Sequence, residues 1–339
     1  MEVLRIMVIV IGLLTVLILV VLSSPRLLSF FVKKLFEVPF QTLPKDYEKV
    51  LSGVEIKKDI RYCTEGNCTF DAYYPKSSGD ENKSYPVIFW AHGGGFVGGD
   101  KRDNESFSVM LANEGYVVLC MNYTLAPLKH YPEQLKEIEE FYLFTSLLTD
   151  IPMDRNRIFF AGDSAGANLI SSFIINQFDE ELRKKSGLRQ VVDMDKVKGV
   201  LFFCGLFDIK RFKDMVNIGL FKVAINQLAY SYLGQKDWKE NECLKDTSLL
   251  EHLTDQFPRT FITDGNVFSF IEQAKEVERK IKQVGGYVDS LFFDQGTKAI
   301  HEYQFKLDTA EGMVALNRTI GFLKEAEGIQ GREDQEGNL

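Results

Sequence analysis

The sequence predicts an α/β domain built on a mostly parallel, doubly wound sheet, with helices on both faces and a helical lid. Three observations carry this. Short apolar runs alternate with longer helical stretches through most of the chain, the rhythm of strand–helix–strand crossovers. One run, Ile158–Ala161, passes through Gly162-Asp163-Ser164-Ala165-Gly166 into a helical stretch, which places Ser164 on a strand-to-helix turn. Another, Pro86–Ala91, ends in His92-Gly93-Gly94-Gly95-Phe96. In such a sheet the functional residues gather on loops at the carboxyl ends of the strands.

The chain has 339 residues, enough for one large domain or two small ones, and its 45% apolar content supplies a single core. A net charge of −8 argues against a nucleic-acid partner. The uncharged run Ile6–Leu22 is nearly long enough, as a helix, to span a bilayer. Pro25 directly after Ser23-Ser24 disfavours cleavage there, so an uncleaved membrane anchor is preferred over a cleaved signal. This divides the chain into an anchor (1–24), a linker or cap helix (25–45), the α/β domain (46–325) and an acidic, disordered tail (326–339). The side of the membrane stays open. Arg26, Lys33 and Lys34 after the run would hold the domain on the cytoplasmic side. Cys63 and Cys68, which pair if the compartment is oxidising, point the other way, as do sequons at Asn67, Asn82, Asn104, Asn122 and Asn317.

Taken in order, Leu27–Phe40 is apolar and basic, with Phe30, Phe31, Leu35 and Phe36 at helical spacing. It suits a membrane surface, a cover for the site mouth, or a plain linker helix. Val54–Ile60 and Cys68–Tyr74 alternate and read as an antiparallel hairpin with Cys63–Cys68 at its tip. Pro86–Ala91, Tyr116–Met121, Arg157–Ala161, Val200–Cys204, Arg259–Thr263 and Val288–Phe293 are the remaining strands, and Pro132–Leu148 a helix. Ile209–Leu233 is a long helical insertion of the kind that forms a lid. Its Phe212, Met215, Ile218, Phe221 and Leu228 either line a pocket or simply bury the helix. Cys120 and Cys204 fall in apolar strands and read as core; no C-x-x-C motif or His/Cys cluster suggests zinc.

A serine hydroxyl is a weak nucleophile and needs a base and an oxyanion site. The chain has four histidines. On this fold the order is Ser, then Asp or Glu, then His. His92 and His130 precede Ser164, and His252 precedes the strand that should deliver the acid, which leaves His301, just past the last strand. The acid belongs after Arg259–Thr263, where Asp264 comes first; Glu272 is the second candidate, with Asp289 and Asp294 as outsiders. The Asp264-Gly265 pair is equally an ordinary turn. Backbone amides of Gly94, Gly95 and Ala165 are the oxyanion candidates, and His92 is expected to hold the glycine turn.

The pairing of His92-Gly93-Gly94-Gly95-Phe96 with Gly162-Asp163-Ser164-Ala165-Gly166 resembles the hormone-sensitive lipase family of α/β-hydrolases. Tyr123-Thr124-Leu125-Ala126-Pro127 is similar to that family's Tyr-Arg-Leu-Ala-Pro segment, and Tyr131-Pro132 to its Tyr-Pro. His301-Glu302-Tyr303-Gln304-Phe305 stands where the family has its catalytic His followed by Gly-Phe. The resemblance covers about Val54 to Leu323. It implies an α/β-hydrolase fold and a carboxylesterase acting on short to medium acyl esters, which the apolar run Ile6–Leu22 would tether to a membrane. Ser164 and His301 would be nucleophile and base, Gly94, Gly95 and Ala165 the oxyanion site, and no cofactor or metal is implied. One departure stands out: the family's Asp-Pro-Leu-x-Asp would put its acid on Phe268 and its second Asp on Glu272. Alternatives are an amidase or small-molecule deacetylase, or a catalytically weak receptor-like member of the fold.

Overall fold

Two helices in tandem, Glu2–Ser23 and Pro25–Phe36, open the chain. The computed structural model describes residues 1–36, 40–76, 79, 83–215, 219–294 and 296–328. The first helix is long and apolar enough to cross a membrane, and none of its residues is buried. Ser24 breaks it in an extended conformation, and Pro25, which lacks an N–H, starts the next helix. The second helix lays Leu28 and Ser29 against the protein and leaves Leu27, Phe30 and Phe31 exposed.

Eight strands follow: β1 Val54–Arg61, β2 Thr69–Pro75, β3 Tyr85–Ala91, β4 Val117–Met121, β5 Met153–Asp163, β6 Val197–Phe203, β7 Thr260–Asp264 and β8 Val288–Phe292. Their order in the sheet is β1-β2-β4-β3-β5-β6-β7-β8. β2 pairs antiparallel with β1 and β4, and every later pairing is parallel. β3 and β4 are buried along their whole length, because helices cover both faces. On one face Phe70, Phe89 and Phe160 pack with Phe141 and Phe173 of helices Glu133–Thr145 and Ala165–Phe178. On the other, Trp90, Phe203 and Phe261 pack with Phe107 and Phe322 of helices Glu105–Asn113 and Ala310–Ala326.

Several details depart from the sequence expectations. β5 starts at Met153 rather than Arg157, because Met153 and Asp154 pair with Tyr85 and Pro86 before a register shift. The stretch Ile209–Leu233 is not one helix: a 3-10 segment, Ile209–Met215, precedes the α-helix Gly219–Leu233, and Ile218 lies outside the described residues. The folded chain continues past Ala326, with Glu327 paired to Arg157 at 2.7 Å; the tail from 329 onward lies outside the described residues. Cys63 and Cys68 form a disulfide across the hairpin tip, their Cα atoms 5.5 Å apart. Two sequons are buried: the side chain of Asn104 donates to Asp163 and that of Asn122 to Asp100. Asn67 and Asn317 are exposed, and Asn82 lies outside the described residues.

Candidate active site

The carboxyl ends of β3, β5, β6 and β7 converge on Ser164. Its φ of 48° lies in the left-handed region, where a non-glycine residue is strained, and helix Ala165–Phe178 starts immediately after it. Both flanking glycines are required by contact. A Cβ on Gly162 would lie 2.5 Å from the Gly166 carbonyl, and one on Gly166 would lie 2.1 Å from the Ala91 oxygen. The Ser164 amide donates to Phe203 O and its carbonyl accepts from Leu206 N, which fixes the turn to β6 and the loop after it.

The glycine turn is fastened to the same elbow. Asp163 is buried, and its carboxylate accepts from Gly93 N at 2.6 Å, Trp90 Nε1 at 2.8 Å and Asn104 Nδ2 at 2.9 Å. Burial pushes this carboxyl up, opposed chiefly by the Trp90 and Asn104 donors. Gly93 approaches so closely that a Cβ there would sit 3.1 Å from Ser164 Cβ. Gly94 and Gly95 have φ of 104° and 60°, conformations that suit glycine. Among the described residues none accepts from the amides of Gly95 and Ala165, so both are free for an anion. His92 is buried, stacked on Tyr123 with ring centroids 4.5 Å apart, and its Nδ1 lies 2.7 Å from Gly93 O. It lies within the glycine turn and does not face Ser164 as a base.

His301 reaches the elbow from the loop after β8, with Nε2 3.1 Å from Ser164 Oγ, the geometry for the hydroxyl to donate to the imidazole. That loop is zipped to the one after β7. Asn266 N and Val267 N donate to Ala299 O, and His301 N donates to Val267 O. Gly265 lies where they touch: a Cβ on it would be 2.4 Å from Ile300 O. The Asp264-Gly265 pair is therefore a contact between loops. Asp264 is fully buried; its Oδ2 accepts from Phe270 N at 2.8 Å, while its Oδ1 stands 3.7 Å from His301 Nδ1. Both of those facing atoms are buried without a hydrogen-bond partner. Glu272 is directed into solvent and pairs with Lys275, Asp289 pairs with Arg318, and Asp294 is exposed; none of the three faces His301. Phe268, at the position the family pattern assigns to the acid, is exposed.

The mouth is walled by the helix Gly219–Leu233. Tyr232 stacks on Phe96 at 3.7 Å, and Leu228 lies beside Gly95. Phe212 packs against Phe270, whose ring in turn stands edge-on to His301. Nothing is described for the side chains of Met215 and Phe221.

The BD-FAE family profile matches residues 70–280, more than half of the chain. The chain belongs to the BD-FAE family. This is a group of esterase- and lipase-like α/β-hydrolases. Among solved structures, esterase B from Lactobacillus rhamnosis, bound to a C6-C4 SN3 inhibitor, matches with a TM-score of 0.74 and 17% identity over 92% of this chain and 97% of its own. A bacterial heroin esterase matches at 0.63 and 18% over 83% and 86%. EstE1, a thermostable carboxylesterase from a metagenomic library, matches at 0.63 and 18% over 91% and 98%. These likenesses establish the α/β-hydrolase fold.

In this BD-FAE chain the sequence reading missed three site residues. Cys204, taken as core, ends up beside the base: it is buried at φ 52°, and its Sγ accepts from Glu302 N at 3.2 Å. Cys204, Asp264 and His301 bring thiol, carboxylate and imidazole within 4.8 Å of one another. Asp163, which ties the glycine turn to the elbow, was readable only as the x in G-x-S-x-G. Glu302 was visible as an acid where the family has glycine.

Proposed function

We propose that the protein is a membrane-tethered serine carboxylesterase. The observation that carries this is the 3.1 Å approach of His301 Nε2 to Ser164 Oγ on a strained elbow. Ser164 Oγ attacks the ester carbonyl while Nε2 takes its proton. The amides of Gly94, Gly95 and Ala165 receive the oxyanion, and the imidazolium then protonates the departing alkoxide. Water, deprotonated by the same nitrogen, releases the acyl group. Asp264 holds the Nδ1–H tautomer, closing its 3.7 Å gap as the imidazole becomes charged. The full burial of Asp264 strengthens this electrostatic work.

Helix Glu2–Ser23 would anchor the chain, and exposed Leu27, Phe30 and Phe31 on the following helix would lie along the bilayer surface. The Cys63–Cys68 bond and the exposed sequons Asn67 and Asn317 support an oxidising compartment for the domain. Esterase B is inhibited by a C4-C4 SN3 tributyrin phosphonate and by a C6-C4 SN3 inhibitor, which supports short to medium acyl chains here. The test is hydrolysis of p-nitrophenyl esters from acetate to palmitate by the full chain in detergent, with Ser164→Ala alongside. Turnover that peaks at short to medium chains and vanishes in the variant is expected. A folded protein inactive on every ester would favour the receptor-like reading, for which the open Asp264–His301 gap is the supporting observation.

A further inference from the structure

Glu302 is an acid where the chain's geometry asks for glycine. Its φ is 63°, in the left-handed region, and a strained residue beside a reacting group points from conformation to function. Its carboxyl is also held in place. Cys204 Sγ–H donates to Gln304 Oε1, Gln304 Nε2 donates to Glu302 Oε2, and the Glu302 amide donates back to Cys204 Sγ. Cys204 and Gln304 are both fully buried, so this closed ring is fixed. It leaves Glu302 Oε1 directed at the base, 3.6 Å from His301 Nε2.

Resting on the esterase reading above, we infer that Glu302 is a second carboxylate for His301, a positioning residue that supports the imidazolium from the Nε2 side. Asp264 approaches the opposite nitrogen and stops at 3.7 Å. When Ser164 Oγ bonds to the ester carbon, its proton passes to Nε2 and the ring becomes positive. Glu302 then offers Oε1 to that cation beside the Ser164 oxygen. No bond to Glu302 forms or breaks.

The groups facing Glu302 fit this role. Burial, then the acidic groups Asp163 on β5, Asp264 on β7 and Asp103 on the turn Lys101–Asn104, raise its carboxyl well above the usual range, against the pull of Gln304; the Cys204 thiol just past β6 is itself raised by burial. The cation that forms next to this carboxyl is the imidazolium of His301, and a neighbouring cation favours a carboxyl's charged form. A purely structural Glu302 would make no such demand: glycine would serve the loop better.

The test compares Glu302→Gln and Glu302→Gly with wild type in the full chain in detergent, measuring kcat, KM and Tm. Both variants should lose about ten-fold in kcat with KM unchanged, and glycine should raise Tm by relieving the left-handed strain. Wild-type kcat in either folded variant would overturn the inference while leaving the esterase intact. An inactive wild type that no serine-directed fluorophosphonate labels would overturn both together.

Discussion

Around Ser164 three backbone segments meet at contact distance: Gly162 against Gly166, Gly166 against Ala91, and Gly93 against the Ser164 side chain. Across the site the base half is looser. His301 is carried on a loop held by a few backbone hydrogen bonds to Asn266 and Val267, and the Asp264 carboxylate stops 3.7 Å from it. The nucleophile half is built from main chain and small residues, which leave no room for variation. The base half is built from side chains on loops, where the acid can occupy a different position and still face the imidazole. In the proposed mechanism the elbow supplies the nucleophile, while the loops after β7 and β8 supply the base and its acid.

Four tests probe that contrast. Ser164→Ala and His301→Ala should each lower ester turnover by roughly 10⁴-fold or more, and the double variant should be no worse than either alone, because the two act as a unit. Multiplying losses in steady-state kcat would break the pair. Asp264→Asn comes next, with a loss of roughly 10²- to 10⁴-fold against less than two-fold for Glu272→Gln. The reverse order in the same assay would transfer the acid to the exposed residue. Gly265→Ala should separate the two loops, since its Cβ would meet Ile300 O at 2.4 Å. Circular dichroism melts should show a loss of about 1–3 kcal/mol, with kcat falling at least ten-fold and labelling of Ser164 persisting. The smallest effect is expected far from the site. Cys63→Ser opens the disulfide at the hairpin tip and should cost roughly 2 kcal/mol for so short a loop, leaving kcat unchanged in the folded protein.

The difference between the two halves also decided what the sequence could reveal. β3, β4 and β6 were legible because strands buried on both faces read as unbroken apolar runs. The elbow was legible because glycines forced by backbone contact must stand at fixed spacing around the serine. His301 emerged from chain order alone. Asp264 could be ranked first only by its place at the end of β7, and its burial against Phe270 N was invisible. Gly265 read as a turn because a loop-to-loop contact has no local signature. The Cys204–Gln304–Glu302 ring joins residues about a hundred positions apart, as the Cys204–Gln304 separation of 100 shows, and no periodicity records such a contact. The Asn104 and Asn122 sequons matched a surface pattern while their side chains were committed to Asp163 and Asp100.

The most direct measurement is stoichiometric labelling of the full chain by a fluorophosphonate, with the modified residue located by mass spectrometry and the labelling rate followed in His301→Ala. The account predicts one adduct per chain, on Ser164, forming far more slowly without the imidazole. A folded, unlabelled Ser164, or labelling that proceeds at the same rate without His301, would contradict it.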